Sequence, residues 1–367
     1  MRVFSLARPR RLKQSAQSAL IWSLGLYALA AVVLDVVLDR WCPAPFEKVY
    51  RLKWADLCRF AAETPDRPLL LMLGSSRTQT GFQAGRFDGV LGADGQPLAA
   101  YNFGVPASGP IHEYLYLRQM LEQGIRPRLL LVEFLPPLFN RTHDRIISEE
   151  GWTQSAWASA TQFLRMTPYF AQPGRKAGEW LEGRLAPWYA QRMSLQAWIL
   201  AVTGAARNHR PVPYAHDRWG CRHPEQLSPR ERAERTAVAL EYKPSLQRFR
   251  LGEGPIRAMR DLLDCCRREQ IPVVLVLTPE SAEFRSWYSP ECRAATRDLL
   301  EEWRSRYGVA VLDATRWLED EDFVDGHHAA ASGARKFTTR LLAELRRHGP
   351  DGRVAIGIPS LQEADAR

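Results

Sequence analysis

Five short apolar runs punctuate the chain, at residues 69–73, 98–103, 129–134, 273–277 and 309–312. None alternates with polar residues, which is the pattern of a strand covered on both faces. Stretches 112–123, 256–270 and 294–307 instead repeat their apolar positions at helical spacing. Strand and helix in alternation predict an α/β fold with a mainly parallel sheet and helices on both faces. In such sheets ligands gather at the carboxyl ends of the strands, so the loops after these runs are the places to look for chemistry.

One run is of another kind. Residues 18–38 are long and apolar enough to cross a ~30 Å hydrocarbon layer as a helix. They follow a basic terminus, 1–17, in which Arg2, Arg8, Arg10, Arg11 and Lys13 meet no acid. Basic residues on that side predict a cytoplasmic N-terminus, a single-pass inner-membrane anchor and an exported, periplasmic or extracytoplasmic body. Ala28-Leu29-Ala30 also resembles a signal-peptidase site, so retained anchor and cleaved signal both stand. Asp35 would lie near the outer end of the span, where a charge is tolerable at some cost.

The pattern also lapses between 141 and 250. That interval has no strand-like run, holds six of the twelve tryptophans and carries 17 Lys+Arg against 10 Asp+Glu, so it reads as a helical insertion rich in aromatic and basic side chains. The chain then divides into a linker and short helix at 39–66, a catalytic-type domain at 67–348 interrupted by the insertion, and a polar, mobile tail at 349–367.

Composition changes this picture in one respect. The net charge of +9 suggests nucleic acid, but the five basic residues at the terminus leave only +4 for the rest. Membrane topology therefore accounts for much of it, and no nucleic-acid partner is expected. Six cysteines show no metal spacing; buried free thiols and one or two disulfides are both compatible with them.

The candidate chemistry sits at the strand ends. Gly74-Ser75-Ser76-Arg77 follows the first run, and either serine could be a nucleophile or a helix N-cap. Asn102-Phe103-Gly104 and the small residues to Ser108 follow the second, where backbone amides can converge on an oxyanion. Asp325-Gly326-His327-His328 follows the fifth and precedes a helix in which Gly333 permits close approach. A histidine can serve a serine as base while a nearby carboxylate orients its ring.

With these blocks the chain resembles the SGNH or GDSL hydrolase superfamily, in particular its membrane-anchored, exported branch that handles acyl groups on bacterial cell-surface polysaccharides. The resemblance covers 69–345 without the insertion and implies a flavodoxin-like three-layer sandwich. It implies Ser76 as nucleophile, His328 as base and Asp325 as its orienting carboxylate. The oxyanion donors would be the amides of Ser76, Gly104 and Ala107, and Ala107 stands where relatives often carry glycine. Neither metal nor organic cofactor is expected.

One block departs from the family. Relatives carry Gly-x-Asn-Asp after the third strand, whereas this chain has Phe134-Leu135-Pro136-Pro137-Leu138, and Asn140 is the nearest amide that could substitute. Arg77, Asn102, Glu280 and Arg285, with Trp287 and Tyr288 nearby, are the candidate substrate contacts; Arg77 could equally form a structural ion pair. The implied function is a serine esterase or O-acyltransferase on envelope acyl esters, acetyl esters above all. The alternative is a non-catalytic member of the fold that binds polysaccharide or an envelope-assembly partner.

Overall fold

The structure is a computed structural model, described here over residues 10–41, 45–142, 146–203, 215–222, 236, 239–347 and 354. Its five strands are β1 (Leu69–Gly74), β2 (Ala99–Gly104), β3 (Leu129–Glu133), β4 (Val273–Leu277) and β5 (Ala310–Asp313). They form one sheet in the order β2-β1-β3-β4-β5 with every pairing parallel. The α/β expectation holds, and the sheet is wholly rather than mainly parallel.

Every residue of β1, β2 and β3 is buried, as their unbroken apolar runs require. On one face, Leu70, Met72, Leu129, Leu131, Val274 and Val276 pack with Phe337, Leu341 and Leu345 of helix Ala331–Arg347. That helix has its apolar residues spaced by three and four, so one stripe meets the sheet. Burying Phe337 alone contributes about 2–3 kcal/mol.

Helix Pro290–Tyr307 is delimited by local chemistry. Ser289 accepts from the Cys292 amide, Pro290 occupies the first helical turn, and Gly308 ends the helix in the left-handed region at φ 66°. The stretch expected as a short helix before β1 is helix Pro45–Glu63, and its Lys53 is fully buried.

The chain divides into two compact units, and the sheet lies in the one formed by Lys48–Thr153, Thr161–Pro173 and Pro213–Arg367. In that unit the two ends of the interval between β3 and β4 are tied together. Arg141 N donates to Arg250 O at 2.7 Å and Gly252 N to Phe139 O at 2.7 Å, around an antiparallel bridge from Asn140 to Leu251. Between those ends the described elements are helical, including Pro173–Leu185, Arg192–Val202 and Tyr242–Gln247.

The other unit comprises Met1–Glu47, Gln154–Ala160 and Gly174–Val212. It contains helix Arg10–Trp41, in which Ala16–Leu38 is long and apolar enough to span a membrane and is almost wholly uncovered by protein. Arg2 and Arg8 lie outside the described residues, as does most of the tail. Val354 is an exception to the expected mobility of that tail: it is buried and its amide donates to Leu91 O at 3.1 Å.

Cys58, Cys221, Cys265, Cys266 and Cys292 are free thiols, four of them buried. Cys42 lies outside the described residues.

Candidate active site

β1 ends where the strand order reverses, between β2 on one side and β3 on the other. This is the switch point at which parallel sheets bind ligands. Gly74 is the last strand residue, and a Cβ there would lie 2.5 Å from Glu133 Oε2, so only glycine lets β3 approach this closely. The two serines then divide the roles that were open to both. Ser75 is the N-cap of helix Ser76–Gly81, its Oγ accepting from Arg77 N at 3.2 Å. Ser76 is left half-exposed, with its Oγ 2.8 Å from His328 Nε2.

His328 is presented by a tight turn after β5. Val324 N donates to His328 O at 2.8 Å, Phe323 bridges Ala329, and Gly326 supplies the left-handed residue at φ 86°. Within that turn Asp325 Oδ2 lies 2.7 Å from His328 Nδ1, and Oδ1 accepts from the His328 amide at 2.8 Å and the His327 amide at 3.3 Å. Burial alone would raise the Asp325 carboxyl, but the hydrogen bond from His328 and the two imidazoles hold it well below the usual carboxylate range. An ionised Asp325 fixes the proton on Nδ1 and leaves Nε2 a lone pair for the Ser76 hydroxyl. Gly333 meets Asp322 at the start of the last helix, where a Cβ would lie 3.0 Å from that of Asp322.

His327 is buried beside the same carboxylate, its Nδ1 3.3 Å from Asp325 Oδ1. Its ring packs on Phe284 and Tyr242, and burial with the neighbouring His328 drives its pKa far down, so it is neutral at ordinary pH. Asp325, His327 and His328 are close enough to share a metal ion. In the arrangement present, both ring nitrogens of His328 are engaged, and the group works as a hydrogen-bonded chain from carboxylate to hydroxyl.

The expected oxyanion donors separate into two kinds. The Ser76 amide begins a helix, and neither it nor the Ala107 amide has a protein acceptor among the described residues. Gly104 is not available: its N–H donates to Asn102 Oδ1 at 2.9 Å. Gly104 serves by size, since a Cβ there would sit 2.8 Å from Ser75 O. Ala107 is held at φ 62°, the left-handed region, so alanine carries a backbone cost there that glycine would not.

Three of the four expected substrate contacts are structural. Arg77 is buried with its guanidinium 3.3 Å from Glu280 and 3.9 Å from Glu133, and it also donates to Thr278 O at 3.2 Å. Glu280 is equally buried between Arg77 and the Tyr288 hydroxyl, 2.7 Å away. Burial raises its pKa while Arg77 opposes the rise. Neither charge is free for an anionic substrate. Asn102 is fully buried and donates to Thr78 O at 2.7 Å and Phe82 O at 2.6 Å, tying helix Ser76–Gly81 to β2.

Arg285 has a different setting. It donates to Thr315 O at 3.0 Å and borders a cavity of about 410 Å³ beside helix Pro290–Tyr307. That cavity is lined by neither Ser76 nor His328. Trp287 is buried against Phe284.

Asn140 does not replace the missing amide of the third block. It is buried, donates to Ser245 O at 2.8 Å and accepts from Arg250 N at 3.0 Å, so it closes the ends of the insertion.

Two carboxylates that sequence reasoning passed over organise the site. Glu133, at the end of β3, accepts from the Ser75 amide at 2.7 Å, the Thr78 hydroxyl at 2.8 Å and the Thr278 hydroxyl at 3.2 Å. A lone acidic residue closing an apolar run was the available signal. Glu149, from the insertion, receives the amides of Gly109, Ile111 and His112 at 2.9–3.0 Å and so caps the helix that follows the 104–108 loop. No local pattern announces that partnership.

No family model and no curated protein matches this chain. The reading of the site therefore rests on its geometry and on the motif resemblance.

Proposed function

We propose that the chain is a membrane-anchored serine esterase or O-acyltransferase of the SGNH type, acting on acyl esters of cell-envelope polysaccharide, acetyl esters foremost. The observation that carries this reading is the unbroken chain from Asp325 through His328 to Ser76, with links of 2.7 and 2.8 Å. The strand order 2-1-3-4-5, shared with flavodoxin-like sheets, supports the three-layer expectation.

In the reaction, Ser76 Oγ attacks the ester carbonyl carbon as its proton passes to His328 Nε2. The carbonyl oxygen becomes an oxyanion, which the Ser76 and Ala107 amides are free to receive. Collapse expels the sugar oxygen, which takes the proton back from His328 and leaves an acyl group on Ser76. Water or a sugar hydroxyl then attacks, again delivering its proton to His328, and Ser76 Oγ takes that proton back as the acid or the new ester leaves. Asp325 stabilises the imidazolium in both halves. This sequence needs no metal or organic cofactor.

Retention of the N-terminal helix belongs to the same proposal. Tyr27 donates its hydroxyl to Leu185 O at 2.6 Å, and cleavage after Ala30 would remove that bond. An exported body follows from the basic terminus.

A second reading, a polysaccharide- or partner-binding protein without turnover, is favoured by the third strand end. Pro137 has no N–H and Asn140 is committed elsewhere, so the oxyanion would have two backbone donors and no side-chain amide. Labelling by a fluorophosphonate probe separates the two. Labelling of the full-length protein that disappears in Ser76→Ala and falls in His328→Ala supports turnover. A folded wild-type protein that takes no label leaves the binding reading.

A further inference from the structure

The helices Pro173–Leu185, Pro187–Ala190 and Arg192–Val202 lie far along the chain from the anchor, yet they belong to the same compact unit. Their surface is unusual for protein facing water. Leu181, Leu185, Trp188, Tyr189, Trp198 and Ile199 are all exposed, at 41–64% of their area. From residue 185 to residue 202 the sequence contains one charge, Arg192. A contiguous set of large exposed apolar side chains marks an interaction surface.

The contacts of this segment indicate what covers it. Tyr27, at the midpoint of Ala16–Leu38, packs edge-on against Trp188 with ring centroids 6.0 Å apart. Its hydroxyl bonds the Leu185 carbonyl, which ends one helix just before Pro187. In hydrocarbon a free carbonyl at a helix end costs several kcal/mol, and a tyrosine from the neighbouring helix removes that cost.

Two of the three charges in 181–202 are handled in the same way, and the third, Glu182, is exposed near the start of the segment, at the water margin. Arg184 pairs with Asp35 of the anchor and donates to Ala158 O at 2.6 Å. Arg192 folds back over the Tyr189 ring, 4.2 Å from its centroid, and donates to Tyr189 O at 2.8 Å. Paired or folded-back charges are what a lipid environment requires at its margins. From Tyr27 to Asp35 the contacts follow about 12 Å of the anchor's axis, reaching from mid-span to its C-terminal end.

We propose that the segment 181–202 enters the lipid layer beside the anchor as a short helical wedge, with the acyl chains of phospholipid covering its apolar side chains. The wedge enters on the C-terminal side of the span and does not cross. It gives the protein a second attachment to the bilayer, contributed by the insertion. This rests on the anchoring part of the function proposed above and is independent of the triad.

The test uses the full-length protein in nanodiscs of phosphatidylcholine and phosphatidylglycerol whose acyl chains carry a diazirine. After photolysis and proteolysis, lipid adducts are mapped by mass spectrometry. Adducts on both 16–38 and 181–202, at comparable yield per residue, are expected. Adducts confined to 16–38 would assign the apolar face to protein contact or water and overturn the wedge. Adducts on neither segment would overturn the anchor itself. Ile199→Glu alters an exposed side chain and so spares the fold; it is expected to deplete adducts around residue 199 while leaving those on 16–38. Unchanged adducts there would also count against the wedge.

Discussion

The carboxylate of Glu133 lies 2.7 Å from the amide nitrogen of Ser75, and through that bond β3 holds the residue immediately before Ser76. The same carboxylate takes the Thr78 and Thr278 hydroxyls and faces Arg77. It is therefore the common acceptor beneath the turn that carries Ser76. In Glu133→Gln one oxygen becomes a donor pointed at donors, and Arg77 loses one of its two anions. A stability loss of about 2–4 kcal/mol is expected in chemical denaturation. Fluorophosphonate labelling of the fraction still folded should also slow, because the Ser75 amide no longer fixes the turn. Unaltered labelling would mean that Glu133 has no part in positioning Ser76.

Asp325 links the proposed catalysis to acid stability. Its folded pKa is depressed below the unfolded value of about 3.9, so as pH falls below about 4 the unfolded chain takes up the proton first. The stability it provides is present above that pH and is lost as pH drops toward the folded pKa. Asp325→Asn should flatten this part of the stability profile and, by leaving the imidazole in the wrong tautomer, lower labelling roughly 10³-fold or more. A steep acid limb that persists in Asp325→Asn would show that another carboxylate governs it.

Lys53 gives a slope of the same sign at the other end of the scale. Burial pushes it down to about 7, against the pull of Cys221 and Asp217, while it donates to Gly220 O at 2.7 Å and Asn102 O at 2.8 Å. Between pH 7 and about 10.4 the unfolded chain holds more protons than the folded one, so stability should rise with pH across that window. Urea midpoints measured at pH 7 and pH 9 are expected to differ in wild type and to converge in Lys53→Met.

Ala107 offers a substitution that should improve the protein. At φ 62° its Cβ is strained, and Ala107→Gly relieves that strain while preserving the N–H. A gain of up to about 1 kcal/mol with labelling retained is expected. A large loss of labelling on this change would indicate that the Ala107 methyl, and not only its amide, contacts the substrate.

What was legible in the chain divides along a physical line. The strands were legible because both faces of a parallel sheet are covered, so runs such as Leu69 to Leu73 are apolar throughout. Asp325 and His328 were legible because a turn of four residues holds them together whatever the rest of the fold does. Glu280 is not legible as an ion-pair partner, and for Arg77 the ion pair is one of two readings, because their pairing spans 203 positions and an isolated charged residue in a sequence gives no sign of its distant partner. Asn102 and Gly104 were misassigned for a related reason: a side-chain amide bonding the backbone two residues on takes an N–H that spacing alone counts as free.

The paired ends of the insertion have a consequence for how such a protein can change. Because Asn140 and Leu251 already lie side by side, the chain between them can be lengthened, shortened or exchanged without moving β3 or β4. A two-residue turn would suffice to close the gap. That freedom stops where the insertion touches the site: Glu149 caps the helix after the 104–108 loop and Tyr242 packs on His327, so these stretches are tied to the sheet while the apolar helices between them can be exchanged.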